Sequence, residues 1–323
     1  MVNAETPIRN VIRAAVFGPV ERHLDVEARK FLGASSPRAP NFAEPAGEPA
    51  LSPPDSMSWR VFKNPACLFI GGVAAVLLEL AEPRVREGVW RHSSFRRDPV
   101  GRLRRTGLAA MITVYGPRSV AEAMIAKVNA MHAHVRGVTP GGEAYAGDDP
   151  ELLDWVQATA SFGFLEAYAA YAAPLSDEEK DRFYRESGRA AALYGAAGAP
   201  RSLAEQRAYF AHMTSRLEGS DIIEEFIGIM RHAPALPPHL RLSQRVFVRA
   251  AIDILPPDVR ARLGLEGRGL RPFEDVIVRR VARRADRLCL RSCPAAKACE
   301  RLGLPADYLF NRERELERAA AAA

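Results

Sequence analysis

The sequence of 323 residues predicts an all-α fold, organised as a multi-helix bundle. Helix-start signals of the form Ser-x-x-Glu occur three times between residues 119 and 205, and runs typical of β-strands are scarce. In addition, the segment 149–174 is apolar on nearly every side, which is typical of a helix in the middle of a bundle. Together these observations predict a core made of packed helices.

The N-terminal residues 1–58 are predicted to be an extension outside the folded body. Residues 32–56 are rich in Pro, Gly, Ala and Ser and have few large apolar side chains, so we expect an extended or disordered connection there. The first residues mix acidic and basic side chains and lack the apolar core of a secretory signal. A single helical domain is therefore expected over residues 59–323, beginning near Trp59.

The first strongly apolar run, Cys67 to Leu78, is predicted to be a buried core helix. It is too short to span a bilayer before Glu79 and Glu82 follow, so no transmembrane segment is expected, although peripheral membrane contact stays open. The four cysteines do not form a disulfide framework, and the C-x3-C-x5-C group at 289–299 matches neither zinc nor iron–sulfur spacing. A reducing, cytoplasmic location is expected.

Three later helices have predicted starts, and two have predicted ends. In a capping box, the Ser side chain accepts a hydrogen bond from the backbone amide three residues later, and the Glu at that position accepts one from the Ser amide. The pair thus satisfies two free N–H groups of the first helical turn. Glycine commonly follows a helix end, which predicts stops at Gly137 and Gly195. The predicted start pairs are Ser119 with Glu122, Ser176 with Glu179, and Ser202 with Glu205.

The C-terminal third is predicted to add helices at 243–255, 256–264 and 276–292, and it carries the chain's positive charge. Residues 240–323 hold 18 Arg and Lys against 11 Asp and Glu, and the net charge of the whole chain is +6. In the last helix the arginines recur at helical spacing among apolar residues, as on the polar face of an amphipathic helix. Because no nucleic-acid-binding motif accompanies the charge, nucleic-acid binding is not expected.

The histidines of "MHAHVRG" are the first candidate ligands, since P-loop, Rossmann, nucleophile-elbow and H-E-x-x-H motifs are all missing from the sequence. On a helical wheel His132 lies beside Val128 and Ile125, at the border of an apolar stripe, whereas His134 lies beside Lys127. A border histidine can direct one nitrogen into an apolar cavity that holds a flat cofactor such as haem. Border histidines without any ligand are also common, so the pattern leaves both alternatives open.

A second candidate group precedes them in "GRLRRTGLAAMITVYG". Arg102 and Thr106 are four residues apart and so share a helix face. Together they could bind a haem propionate, a carboxylate or an oxygen species, and the alternative is a solvated arginine cluster that includes Arg104 and Arg105. Among the aromatics of the apolar helix, Trp155 and Phe162 are candidates for a channel wall or for core packing.

Four stretches, read in order, resemble the rubber oxygenase catalytic domain family, which includes latex-clearing proteins and the membrane-associated oxygenase of mycophenolic acid biosynthesis. The resemblance runs from about Trp59 to about Leu265, with the motifs in the family's order and at similar spacing. The stretches are "GGVAAVLLELAEPRVREGVWRHSSFRRDPVGRLRRT", "HAHVRGV", "YAGDDPELLDWVQATASFGFLEAY" and "PLSDEEKDRFYRESGRAAALYG".

The resemblance implies a globin-like helical core around a buried pocket for haem b, whose iron has a histidine ligand. Characterised members use O2 to cleave carbon–carbon double bonds of isoprenoid chains into carbonyl products. By motif position His132 is similar to the proximal histidine. Arg102 and Thr106 match the R-x3-T pair beside the haem, and Arg105 falls where a basic residue can face the distal side.

This chain also departs from the family pattern. It has "LLELAEP" and "WVQAT" where many members have "LLQLAHP" and "WVHAT", so Glu79, Glu82 and Gln157 replace a glutamine and two histidines. His92, in "HSSF", is the second candidate iron ligand. The expected function is a haem b-dependent oxygenase that uses O2 on a hydrophobic, isoprenoid-like substrate. The alternative is a haem-free helical lipid-binding or interaction protein that retains the fold.

Overall fold

Helices make up almost all regular structure in the computed structural model, which describes residues 40–236 and 241–311, apart from the side chain of Leu242. The predicted all-α class is confirmed. An antiparallel hairpin of β1 (Arg136–Val138) and β2 (Ala144–Ala146) is added to the helices. In chain order the helices are α1 (Met57–Phe62), α2 (Pro65–Ala81), α3 (Pro83–His92), α4 (Pro99–Tyr115), α5 (Arg118–His132), α6 (Pro150–Tyr171), α7 (Asp177–Leu193), α8 (Leu203–Thr214), α9 (Asp221–His232), α10 (Arg241–Asp253), α11 (Pro257–Arg262), α12 (Glu274–Asp286) and α13 (Pro294–Arg301).

Two apolar helices, α2 and α6, cross at the centre of the fold. A Cβ atom added to Gly71 would lie 2.6 Å from the carbonyl oxygen of Gly163, and one added to Gly163 would lie 2.3 Å from that of Gly71. The two backbones are therefore in direct contact, and only glycine fits at either position. Helices α9, α10 and α12 pack around α2, so the runs predicted to be core helices do form the core.

The chain bends sharply between α2 and α3. Glu82 lies at the bend, where its carboxylate accepts a hydrogen bond from the Val85 amide at 2.8 Å and one from Arg84 Nε at 2.7 Å. Capping by Glu82 starts the new helix in a new direction. Within the described ranges no single helix is long and apolar enough to cross a bilayer, and α2 and α3 reach that length only as a pair bent by 111°.

A buried polar cluster joins the start of α2 to α6 and α12. Lys63 Nζ lies 2.8 Å from Asp286 Oδ2, and Asn64 Nδ2 lies 3.1 Å from Asp286 Oδ1. The hydroxyl of Tyr168 donates to the same carboxylate at 3.2 Å. Every polar group in the cluster thus has a partner, which is the condition under which a buried charge pair is tolerated.

Residues 40–56 correct one expectation from the sequence. They contain neither helix nor strand, yet Phe42, Ala50 and Leu51 are buried in the main core. The side chain of Arg301 donates to the carbonyl oxygens of Phe42, at 2.6 Å, and Glu48, at 2.8 Å. The missing helix and strand agree with the predicted extended connection, but the placement of these residues outside the folded body is wrong, because a distant helix supplies their partners. Residues 1–39 of the predicted extension lie outside the described ranges.

The predicted helix boundaries are right in part. Ser176 and Glu179 form the full capping box at α7, and Gly195, with φ +88°, follows the end of that helix. Ser202 accepts from the Glu205 amide, but the Glu205 carboxylate accepts from the amide of Arg201 instead.

Two boundary predictions for α5 are wrong. Its N-cap is Pro117, and Ser119 binds the carboxylate of Glu48 through its amide at 2.6 Å and its hydroxyl at 3.1 Å. The predicted stop, Gly137, lies beyond the helix in β1. At the helix start a distant carboxylate binds the serine, and after the helix end the glycine belongs to a strand. The local sequence signals therefore did not set either boundary.

Exchanging Gly163 for alanine is expected to destabilise the protein by roughly 1–3 kcal/mol, because the added methyl overlaps the backbone of α2. The matched control is Gly228→Ala in α9, where an added Cβ meets nothing within 4 Å and helix propensity should stabilise by up to about 1 kcal/mol. Urea unfolding followed by circular dichroism measures both. Equal effects of the two exchanges would contradict the close crossing.

Replacing Asp286 with alanine is expected to cost about 3–5 kcal/mol, since Lys63 would stay buried without its carboxylate. Glu300→Ala removes an exposed partner of Lys297 and should cost less than about 1 kcal/mol. Thermal and urea unfolding of the two variants provide the comparison. A loss below about 1 kcal/mol for Asp286→Ala would show that the cluster is not stabilising.

Candidate functional site

The candidate site lies where α4 and α5 leave apolar side chains incompletely covered. Along α4 the buried residues, Ile112, Val114 and Tyr115, all belong to its C-terminal part, and α5 buries only Ala121 and Ile125. Gly107 on α4 is exposed, and a Cβ added to it would meet no atom within 4 Å, so this face of α4 is an uncovered surface, called the apolar gap below. Apolar side chains that remain half-buried along the two helices are Leu103, Leu108, Met111, Met124 and Val128.

His132 is the last residue of α5, and the hairpin fixes its position. The amide of Gly147, directly after β2, donates to the Val135 carbonyl at 2.8 Å. A Cβ added to Gly147 would lie 2.7 Å from the carbonyl oxygen of His132, so the returning strand passes against the helix end. The hairpin was not predicted from the sequence, because each of its strands has only three residues.

The imidazole of His132 is half-buried and electrostatically suited to be neutral. Its Nδ1 is buried and has no hydrogen-bond partner in the described part of the chain. Burial lowers the pKa of His132, the positive charge of Arg102 lowers it further, and Asp148 acts in the opposite direction. A neutral imidazole with an unused nitrogen has the protonation state that a metal ligand needs.

Arg102 lies in the same electrostatic neighbourhood and is half-buried on α4. Burial lowers its pKa, Glu79 raises it, and Arg105 lowers it. Within the described residues its side chain forms no hydrogen bond and no ion pair within 4 Å. The guanidinium is therefore free to bind an anion that approaches from the gap.

Glu79, on α2, is the third ionisable group of this neighbourhood. Burial raises its pKa to about 7, and attraction to Arg102 lowers it only in part. The carboxyl is thus near half-protonation at neutral pH. The sequence signal for it was a single acidic residue at the end of the apolar run, where many family members have glutamine.

Thr106 and Arg105 occupy different surroundings from Arg102. Thr106 is exposed, and its hydroxyl donates to the backbone carbonyl oxygen of Arg102 at 3.0 Å, one turn earlier on α4. Arg105 is also exposed and donates to Ser94 Oγ at 2.6 Å and to Asp98 Oδ2 at 3.3 Å. A contact between Arg105 and a cofactor would require the side chain to leave these partners.

The other two candidate histidines lie on the surface. His92 ends α3 and is exposed, with Nε2 3.3 Å from the hydroxyl of Tyr145 on β2. His134 is exposed, and its Nδ1 lies 2.6 Å from the carbonyl oxygen of Ala130. The prediction that His134 is a surface residue is confirmed. His23 and His239 lie outside the described ranges.

The residues that replace family histidines have structural partners. Glu82 is buried and caps α3, as described above, and Gln157 Nε2 donates to Ser161 Oγ at 3.1 Å. Trp155 is fully buried, with its Nε1 donating to the Leu78 carbonyl at 3.2 Å, and Phe162 stacks near Phe210. For Trp155 these contacts are those of a core residue.

The cysteine group is also without a metal site. Cys293 caps α13, and Cys289 donates to the Ala306 carbonyl at 3.6 Å. Burial raises the pKa of both Cys289 and Cys299 to about 12, which keeps the thiols protonated. In the described ranges no three His, Cys, Asp or Glu side chains are grouped to hold a metal ion.

Comparison with known families identifies this all-helical body as an oxygenase catalytic domain. A family model matches residues 59–287. The chain belongs to the family described as ER-bound oxygenase mpaB/B'/rubber oxygenase, catalytic domain. Searches of curated proteins and of solved structures gave no significant match.

The pH dependence of stability provides a test of Glu79. Its pKa is raised from 4.5 to about 7 in the folded state, so the folded protein holds a proton that the unfolded chain has lost. Stability is therefore expected to fall by roughly 1–3 kcal/mol as pH rises from 4.5 to 7, and Glu79→Gln should remove that part of the decline. Urea unfolding of haem-free protein at pH 5 and pH 8 measures it.

The matched control for this experiment is Glu122→Gln, which removes an exposed carboxylate from α5. It should keep the pH dependence of the parent protein. An unchanged slope in Glu79→Gln would contradict the elevated pKa.

Proposed function

We propose that the chain is a haem b-dependent oxygenase that uses O2 on a hydrophobic substrate, with His132 as the iron ligand. Membership of the oxygenase family gives the reaction class. The observation that carries the cofactor assignment is the buried Nδ1 of His132, which lacks a partner among the described residues. His132 would hold the iron through its imidazole, and the incompletely covered apolar side chains beside it would contact the haem ring.

The residues present fit this group. The depressed pKa of His132 keeps its imidazole neutral, which is the form that donates a lone pair to a metal. Arg102 has no anionic partner within 4 Å in the described residues and could pair with a propionate carboxylate. The half-covered apolar side chains of α4 and α5 suit a hydrophobic ring system.

When bound, haem b would supply the iron chemistry that activates dioxygen. Cleavage of a carbon–carbon double bond by O2 places one oxygen atom on each carbon, so the two carbonyl products account for both atoms and no external reductant is needed. The protein's part is to bind the apolar substrate, to exclude water from the gap and to hold fixed charges around it.

Arg102 and Glu79 set the charge on the protein's side of this gap. Arg102 holds a positive charge at all working pH values, and Glu79, with a pKa of about 7, exchanges a proton near neutrality. The apolar surroundings and the family resemblance support a hydrophobic substrate, and the resemblance favours an isoprenoid-like chain. A cytoplasmic location stays a prediction.

Exchange of His132 for alanine is expected to abolish haem binding, because no other half-buried histidine adjoins Arg102 among the described residues. Protein expressed with adequate haem supply should show a Soret band that is lost in His132→Ala. His134→Ala, two residues away on the exposed face, is the matched control and should retain the band. His92→Ala tests the second ligand candidate and should also retain it.

Two outcomes would favour other assignments. Loss of the Soret band in His92→Ala alone would transfer the ligand role to His92. Folded, colourless protein that does not take up added hemin would favour the haem-free lipid-binding or interaction protein. With haem bound, oxygen uptake and carbonyl products from a short unsaturated isoprenoid would establish the reaction.

A further inference from the structure

A basic cavity lies apart from the candidate haem site. It has a volume of about 390 Å3 and is walled by the end of α9, one face of α10 and the loop before α12. None of its residues belongs to the candidate site. Its polar lining consists of five arginines and one histidine, namely Arg231, His232, Arg245, Arg249, Arg268 and Arg271.

The arginines of the cavity exceed the carboxylates that neutralise them. Arg249 Nε pairs with Glu274 Oε2 at 2.8 Å, and Arg268 Nη2 pairs with Glu224 Oε2 at 2.8 Å. Five lining arginines against these two carboxylates leave a formal excess of three positive charges. Such concentration of one charge in a concave surface attracts anions.

Arg231 shows that this excess is concentrated inside the cavity. Its Nε is buried and has no hydrogen-bond partner in the described part of the chain. Burial lowers the pKa of Arg231, the charges of Arg268, Arg249 and Arg271 lower it further, and Glu224 acts in the opposite direction. An unpartnered guanidinium donor with three positive charges near it can be stabilised by an anion.

We propose that this cavity is a binding site for a phosphate-bearing anion. Guanidinium groups bind phosphate oxygens through paired hydrogen bonds, and several arginines around one cavity can bind more than one oxygen at once. The volume is sufficient for a diphosphate or for the headgroup of a phospholipid. The proposal does not depend on haem or on the oxygenase reaction.

The surroundings of the cavity bear on the source of the phosphate. Phe273, two residues after Arg271, is 81% exposed, and Val276 and Ile277 in the first turn of α12 are 51% and 49% exposed. Exposed apolar side chains next to an anion site suit a phospholipid, whose acyl chains would contact them while its headgroup enters the cavity. A free phosphate compound would use the cavity alone.

The test uses the full chain, with pyrophosphate and inorganic phosphate as soluble probes and vesicles of phosphatidylcholine with or without phosphatidic acid as the lipid probe. Titration calorimetry at constant ionic strength measures binding of the soluble probes, and vesicle co-sedimentation measures binding to the lipid probe. Saturable binding to either probe is expected. Arg231→Gln and Arg245→Gln should each weaken it by roughly tenfold or more.

The matched control is Arg185→Gln, an exposed arginine on α7 outside the cavity, which should bind within about twofold of the parent. Because Arg245 is itself exposed, its replacement keeps the test valid if Arg231→Gln fails to fold. Binding to phosphatidic acid vesicles alone, weakened by Phe273→Ser, would identify a lipid source, and binding to pyrophosphate a soluble one. Absence of saturable binding to both, or unchanged affinity in both cavity variants, would overturn the proposal.

Discussion

The contact between the backbones of α2 and α6 at Gly71 and Gly163 is the constraint on which the remaining structure depends. Two apolar helices that approach this closely can carry other helices on their outer surfaces, and α9, α10 and α12 pack there. Because both central helices are committed to the core, polar chemistry has to be built at their ends and on the helices added outside. Glu79 stands at such an end, and His132 on such an added helix.

The helical class and the central helices could be predicted from the sequence because they depend on local periodicity. The capping box at Ser176 depends only on residues three apart and was equally readable. The start of α5 was not, since Ser119 is bound by Glu48, 71 positions away along the chain. The composition of residues 40–56 likewise did not indicate that they pack against the core, because their backbone is hydrogen-bonded by Arg301, which is distant in sequence.

The same distinction between local and long-range determinants applies to the candidate site. The wheel distinguished His132 from His134 correctly, because burial of one helix face is a local property. That Arg102, on another helix, lies in the electrostatic surroundings of both His132 and Glu79 is a tertiary fact that spacing does not contain. The basic cavity was missed altogether, since its arginines come from two helices and a loop and read along the chain as ordinary surface charge.

The hydrogen bonds of Arg301 extend the folded domain beyond the residues that the family match covers. The family match begins at residue 59 and ends at residue 287, yet the flanks on either side are bonded to one another through this arginine and the amide of Gly47. Removal of either flank would therefore leave the hydrogen-bonding groups of the other without these partners. Through Glu48, this closure also anchors the first turn of the helix whose last residue is His132, which makes the outermost segments part of the scaffold of the site.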